Sequence, residues 1–110
     1  MPELHKLIVV PEAQRDIREI LLYIVSELAA PQAALALNKE LRQGIESLSF
    51  MPKRVKTIEE QPWRELGVRK IRVRNYYIYF WIDDERKIVK VIAVISTRMD
   101  QEQQLKKRQL

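Results

Sequence analysis

The sequence has no cysteine, one histidine and two glycines. Without cysteine there can be no disulfide and no thiolate nucleophile. With His5 as the only imidazole there is no His/Cys metal cluster and no recognisable Ser-His-Asp set. Gly44 and Gly67 alone cannot build a glycine-rich phosphate loop. These absences exclude most familiar catalytic and cofactor sites, so we expect no cofactor, no metal, and an edge or surface position for His5.

Long hydrophobic runs are missing as well. None approaches the roughly 18 residues of a membrane span, and the N-terminus lacks the apolar core of a secretion signal. We therefore expect a cytoplasmic protein that does not enter a membrane. What is present is a globular composition, with 46% hydrophobic and 32% charged residues in a chain of 110. This length and composition predict a single domain over residues 1–110.

The net charge of +5 is concentrated in one part of the chain. Residues 53–74 hold eight Lys or Arg and three Glu, a net charge of +5, whereas the rest holds 12 residues of each sign. A basic segment of this kind suits nucleic acid, anionic lipid or an acidic protein partner. Any partner bound through charge is therefore expected at this segment.

The hydrophobic pattern predicts one strand, two helices and then three strands. Each helix carries apolar residues at helical spacing, the first over about 12–28 and the second from Pro31 until Pro52. Residues 53–66 lack periodicity and are expected to form a loop, and 99–110 a short helix or a frayed tail. The predicted strands are 5–10, 68–74, 76–82 and 88–96. The predicted fold class is α+β, a helical hairpin packed on one face of a small antiparallel sheet in the order β-α-α-β-β-β.

The stretch GVRKIRVRNYYIYFWID, residues 67–83, alternates between two faces of a predicted hairpin. If the hairpin turns at Arg74-Asn75, with Asn75 tolerating a positive φ, then Arg72 lies opposite Tyr77 and Lys70 opposite Tyr79. One face is then apolar and suits the helices. The other face carries cations and aromatics, and no helix remains to cover it.

Three interpretations of that second face stay open. It can be a solvated surface on which Lys and Arg stems cover aromatic rings, a single-stranded nucleic-acid surface, or a surface for a protein partner. Glu59 and Glu60, beside it in sequence, are either a solvated loop pair or a general base. The candidate target-binding residues are Arg69, Lys70, Arg72, Arg74, Tyr77, Tyr79 and Trp81.

Four segments of the chain resemble the RelE/ParE superfamily of bacterial type II toxins. They are VVPEAQRDIREILLYI at 9–24, ALNKELRQGIESLSFMP at 36–52, the stretch at 67–83, and VKVIAVISTRMD at 89–100. The more telling residues are Ala13, Asp16, Ile17 and Ile20 in the first helix and the pair Arg98 and Asp100 near the end. The resemblance implies the family fold and an acidic antitoxin that folds on binding to form a toxin–antitoxin hetero-oligomer. The basic segment and the apolar surface of the helices are the expected docking surfaces.

The family contains two activities, which are ribosome-dependent mRNA cleavage and inhibition of DNA gyrase. Lys70, Arg72 and Arg98 match the basic residues of the nucleases, and with Tyr77 they are the candidate catalytic residues if the chain cleaves RNA. Tyr77 itself stands where nucleases tend to have arginine, Ser96 stands where many have histidine, and the tail has no tyrosine. Cleavage by 2′-hydroxyl attack needs proton transfer as well as charge stabilisation. The resemblance therefore favours gyrase inhibition, with RNA cleavage as the alternative.

Overall fold

Four strands and three α-helices form most of the regular structure in residues 4–108, the part of the chain that the computed structural model describes. The ends of the predicted single domain, residues 1–3 and 109–110, lie outside the described residues. A short 3₁₀ helix, Pro52–Arg54, follows the second α-helix. The elements are β1 Lys6–Val9, α1 Pro11–Ser26, α2 Pro31–Ser47, β2 Arg69–Val73, β3 Tyr76–Asp83, β4 Ile88–Ser96 and α3 Gln101–Lys106.

The α+β class and the element order are confirmed, but the sheet is mixed rather than antiparallel. The strand order is β1-β4-β3-β2, in which β2, β3 and β4 form an antiparallel meander and β1 pairs with β4 in parallel. The helical hairpin carries the chain from β1 to the opposite edge of the sheet, and the meander then returns so that β4 runs in the same direction as β1. Hydrophobic pattern alone does not encode that direction.

The apolar stripes of the two helices face the sheet as predicted. In α1, Ala13 and Ile17 are buried, whereas Leu28 is 57% exposed because the helix ends at Ser26, two residues before the predicted end. Both helices begin with proline at the first turn and have no side-chain N-cap. The stripe of α2 is buried throughout, at Ala34, Leu37, Leu41, Ile45 and Leu48.

Gly44 allows α2 to lie close against β2. A Cβ atom placed on this residue would come within 2.7 Å of Val73 Cγ2, which is inside van der Waals contact. Glycine in a helix interior costs about 1 kcal/mol relative to alanine. The close approach of helix and strand at Val73 is the structural reason for glycine at this position.

A second apolar cluster covers the sheet face that the sequence predicted to be open. Segment 58–68 and helix α3 lie over this face, and we call these two elements the covering layer. The prediction of an uncovered face is therefore wrong. The segment has no regular periodicity and α3 has only six residues, so neither produced a pattern that the sequence could reveal. The buried members of the cluster are Ile58, Trp63, Val68, Tyr79, Ala93, Ile95 and Leu105.

None of the helices in the described residues is both long enough and apolar enough to cross a bilayer.

Candidate functional site

The β2–β3 hairpin has the predicted register. Arg72 pairs with Tyr77 and Lys70 with Tyr79, and the turn lies at Arg74-Asn75. The positive φ falls on Arg74, at 51°, and not on Asn75 as expected. The Arg74 side chain forms an ion pair with Glu40 of α2, which holds the hairpin tip against the helices. Arg74 therefore has a structural role in holding the hairpin against α2.

The covering layer divides the aromatic stripe of β3 into two ends. Tyr79, in the middle, is 1% exposed, and its hydroxyl donates a 2.9 Å hydrogen bond to Gln101 Oε1 in α3. Burial raises the pKa of the Tyr79 phenol, and the nearby Glu60 carboxylate raises it further. The prediction of Tyr79 as a surface contact is wrong. Two separate accessible regions remain, which we name the Tyr77 end and the Trp81 end.

The Tyr77 end gathers four of the predicted site residues. The Lys70 ammonium lies 4.1 Å from the centroid of the Tyr77 ring, which is cation–π distance. Arg72 is exposed, and its Nε donates a 2.8 Å hydrogen bond to the Arg74 carbonyl. The Thr97 N–H donates to the Asn75 carbonyl at 2.9 Å, and this bond places the turn that carries exposed Arg98 beside the hairpin tip. Two exposed guanidinium groups therefore flank the tip, next to a half-buried tyrosine.

Lys70 lies beside carboxylates as well as beside Tyr77. It lines a cavity of about 410 Å³ together with Glu59 and Glu60, and a second cavity of about 240 Å³ that Glu60, Asp100 and Glu102 also line. This part of the face is therefore mixed in charge rather than uniformly cationic. Both candidate general bases, Glu59 and Glu60, therefore line a cavity with the predicted site residue Lys70, and Glu60 lines the second cavity as well. His5 precedes β1, at the opposite edge of the sheet from β2, and takes no part.

Arg69 does not belong to the Tyr77 end. Its side chain lies on the helix-facing side of β2 and its Nη1 donates to the Val55 carbonyl. A backbone bridge between Thr57 and Arg69 connects the same loop to the strand. Arg69 therefore fastens the start of the covering segment to the sheet, and its inclusion among the surface contacts is not supported by its position.

The Trp81 end is apolar and was missed in part by sequence reasoning. Trp81 is 36% exposed and borders a cavity of about 260 Å³ whose other lining residues are Leu66, Val68 and Ile92. The Lys90 ammonium lies 5.8 Å from the Trp81 ring centroid. Trp81 was predicted as a contact residue, but Leu66 and Ile92 were not, since one lies in an aperiodic loop and the other at a β-bulge. The only sequence signal for Leu66 was a large apolar residue in a polar segment.

The sequence matches one family description over most of its length. Residues 7–101 match the family model described as the ParE toxin of the type II toxin-antitoxin system, parDE. No curated protein is similar enough in sequence to count as a match.

The solved structures that share the fold include two from toxin–antitoxin systems. A chain of the chromosomal ParDE toxin–antitoxin system from P. aeruginosa superposes with a TM-score of 0.70 and 18% identity, covering 84% of this chain and 96% of that one. A chain of the toxin–antitoxin complex RelBE2 from Mycobacterium tuberculosis gives a TM-score of 0.60 and 21% identity, covering 86% and 92%. At 18% and 21% sequence identity, these two similarities show only that the fold is shared.

Proposed function

Because this chain belongs to the ParE toxin family of type II toxin–antitoxin systems, we propose that it arrests bacterial growth by inhibiting DNA gyrase. An acidic antitoxin protein binds and neutralises it. The toxin acts in the cytoplasm as a single domain, and the neutralised form is a toxin–antitoxin hetero-oligomer.

The composition of the Tyr77 end supports this proposal. Arg72 and Arg98 are exposed cations that can bind phosphate or acidic side chains. Tyr77 adds an aromatic surface beside the Lys70 ammonium. Histidine is absent from this end. Such a surface binds an anionic target, whereas hydrolytic or transesterification chemistry needs a proton acceptor and a proton donor.

RNA cleavage remains the second candidate because of one observation. Glu60 lines the same cavities as Lys70, and a carboxylate beside an ammonium is a possible acid–base pair. In that mechanism Glu60 removes a proton from the 2′-hydroxyl, and Lys70, Arg72 and Arg98 stabilise the charge that develops on the phosphate.

The two candidates predict different events after brief induction in a bacterial host. A gyrase inhibitor causes DNA damage and filamentation while mRNA stays intact, and the purified protein blocks supercoiling by gyrase. A nuclease leaves supercoiling unaffected and produces mRNA 5′ ends that depend on translation and fall at fixed positions within codons. Mapping of 5′ ends together with a supercoiling assay separates them, and codon-phased cuts would overturn the gyrase proposal.

A further inference from the structure

The turn that carries Arg98 is held at its base by Gln101, the first residue of α3. The Nε2 of Gln101 donates hydrogen bonds to the Ser96 carbonyl at 2.7 Å and to the Met99 carbonyl at 2.8 Å. The Met99 N–H closes the turn by donating to the same Ser96 carbonyl at 3.1 Å. Arg98 lies between these two residues, so a single side-chain amide holds both ends of the turn 96–99.

Buried Tyr79 fixes the orientation of the Gln101 amide. Carbonyl oxygens only accept hydrogen bonds, so the NH₂ group must face Ser96 and Met99, and Oε1 must face away from them. The Tyr79 hydroxyl donates to this Oε1 at 2.9 Å, and Tyr79 is 1% exposed. An exchange of the amide nitrogen and oxygen would place an acceptor against two carbonyls. Three partners, from β3, β4 and the turn, therefore hold the amide in one orientation.

Arg98 depends on this turn for its position. It is exposed, and its one hydrogen bond within residues 4–108 runs from the backbone N–H to Ser96 Oγ at 3.3 Å. Because no contact of that kind restrains the guanidinium, the backbone of the turn decides where the side chain starts. From the other side, the Thr97 N–H donates to the Asn75 carbonyl at 2.9 Å. The turn is therefore held between the hairpin tip and α3.

We propose that Gln101 is a positioning residue, which sets the turn 96–99 and so places Arg98 where the Tyr77 end meets its anionic target. This inference rests on the proposed function, because it takes Arg98 as a target-binding cation, and it adds the residue that holds Arg98 in place. A binding group needs a supporting residue of this kind to keep its geometry. Loss of the Gln101 amide should weaken the toxin and leave most of the fold intact.

The test compares Gln101→Glu with Gln101→Lys. Glutamate has almost the size of glutamine but replaces both donors with a carboxylate oxygen, whereas the lysine ammonium can still donate to the two carbonyls. Helix electrostatics alone favour the opposite order, because acidic residues stabilise the first turn of a helix and basic residues do not. The readout is the toxin level, titrated with inducer, that halves the growth rate. We expect Gln101→Glu to raise it at least about tenfold, the worth of one charged hydrogen bond, and Gln101→Lys to raise it much less.

Backbone amide exchange, followed by NMR, tests whether the turn itself is loosened. The N–H groups of Thr97 and Met99 should exchange faster in Gln101→Glu than in the wild type, because the turn they close has lost its support. The Val94 N–H, which donates to Asp16, should exchange at the wild-type rate. A loss of global stability would accelerate Val94 as well.

Gln103 supplies the matched controls, since it is exposed on the same short helix. Gln103→Glu and Gln103→Lys make the same charge changes and should remain as toxic as the wild type. Gln101→Met is an uncharged second variant of similar length without a donor. It should weaken the toxin as Gln101→Glu does, and thermal unfolding checks that each variant is folded.

Three results would overturn this inference and leave the toxin assignment standing. They are wild-type potency in Gln101→Glu and Gln101→Met, a greater loss in Gln101→Lys than in Gln101→Glu, and weaker toxicity with unchanged exchange at Thr97 and Met99. Failure of both Gln101→Glu and Gln101→Met to fold would also overturn it, by making Gln101 a residue of the fold as a whole. Growth arrest is read without assuming a target, so failure of the wild type to block gyrase supercoiling would reject only the gyrase proposal. A wild type that arrests no growth would overturn the toxin proposal and this inference with it.

Discussion

Arg108 donates two hydrogen bonds of 2.9 Å to the carboxylate of Asp16, 92 residues earlier in the chain. The same carboxylate accepts the backbone N–H of Val94 at 2.9 Å. Strand β1 stops at Val9, opposite Val91, so β4 has no strand neighbour at Val94 on that side. Asp16 supplies the acceptor that a neighbouring strand would otherwise provide. One side chain of α1 therefore holds both the central strand and the C-terminal segment.

Removal of this carboxylate should destabilise the protein more than removal of its partner. The side chains of Asp16 and Arg108 are only 14% and 13% exposed, so Asp16→Ala leaves a guanidinium and a backbone N–H without their acceptor. We expect a loss of about 2–3 kcal/mol in the free energy of unfolding. Arg108→Ala keeps the bond to Val94 and should cost less. Urea unfolding measures the free energy of unfolding of both variants. Equal losses in Asp16→Ala and Arg108→Ala would show that the hydrogen bond from the Val94 N–H contributes nothing to stability.

Gly44→Ala should destabilise the protein although alanine is the better helix former. The gain in helix propensity is about 1 kcal/mol, but the new methyl group would lie 2.7 Å from Val73 Cγ2. Valine is β-branched and has little rotamer freedom, and overpacking costs about 1–3 kcal/mol. We expect a net loss of up to about 2 kcal/mol.

The double variant Gly44→Ala with Val73→Ala tests the cause of that loss. If the contact is responsible, the two substitutions together should cost less than the sum of the single substitutions. Strict additivity in urea unfolding would mean that glycine is tolerated at this position for another reason.

Tyr79 should make stability depend on alkaline pH. Burial raises the pKa of its phenol in the folded state above the ordinary value of about 10. A raised folded pKa means that the contribution to stability is fully present below the unfolded pKa and is lost as pH rises through it toward the folded value. The free energy of unfolding should therefore fall more steeply above about pH 10 in the wild type than in Tyr79→Phe. At neutral pH, Tyr79→Phe should also lower the free energy of unfolding by about 1 kcal/mol, because the hydrogen bond to Gln101 is lost.

Ultraviolet titration provides the independent check. The absorbance change at alkaline pH should include one fewer late-titrating tyrosine in Tyr79→Phe than in the wild type. Parallel pH dependences of unfolding in the two proteins would contradict the role given to Tyr79.

Arg72→Ala should abolish toxicity and leave stability nearly unchanged. Arg72 is exposed at the Tyr77 end, and its one hydrogen bond to protein in the described residues goes to the neighbouring Arg74 carbonyl. Surface substitutions of this kind change the free energy of unfolding by about 0.5 kcal/mol or less. Arg86→Ala, at the exposed loop between β3 and β4, makes the same charge change as a control and should remain toxic. Full toxicity of Arg72→Ala in a growth assay would remove the Tyr77 end from the mechanism.

The hairpin and the helix stripes were predictable because their patterns have a period. Alternation fixed the pairing of Arg72 with Tyr77, and burial at α2 followed helical spacing. The covering layer was not predictable, since Ile58, Trp63 and Leu105 reach the sheet singly from irregular or very short elements. Without that layer, Tyr79 and Trp81 looked equivalent. Their difference arises from contacts between residues distant in sequence, and these also create the apolar cavity at Leu66.

Glu60→Gln distinguishes the two candidate activities within the protein itself. Glutamine keeps the size and polarity of the side chain but cannot accept a proton as a general base. If the toxin inhibits gyrase, the carboxylate has no chemical role, and Glu60→Gln should arrest growth and block supercoiling like the wild type. If it cleaves mRNA, loss of a general base should slow cleavage by about 10²–10⁴-fold while ribosome binding persists. Because the Glu60 carboxylate also raises the Tyr79 pKa, the pKa of Tyr79 should be raised less in the variant than in the wild type. A folded Glu60→Gln protein that no longer arrests growth would therefore reject the gyrase proposal in favour of cleavage.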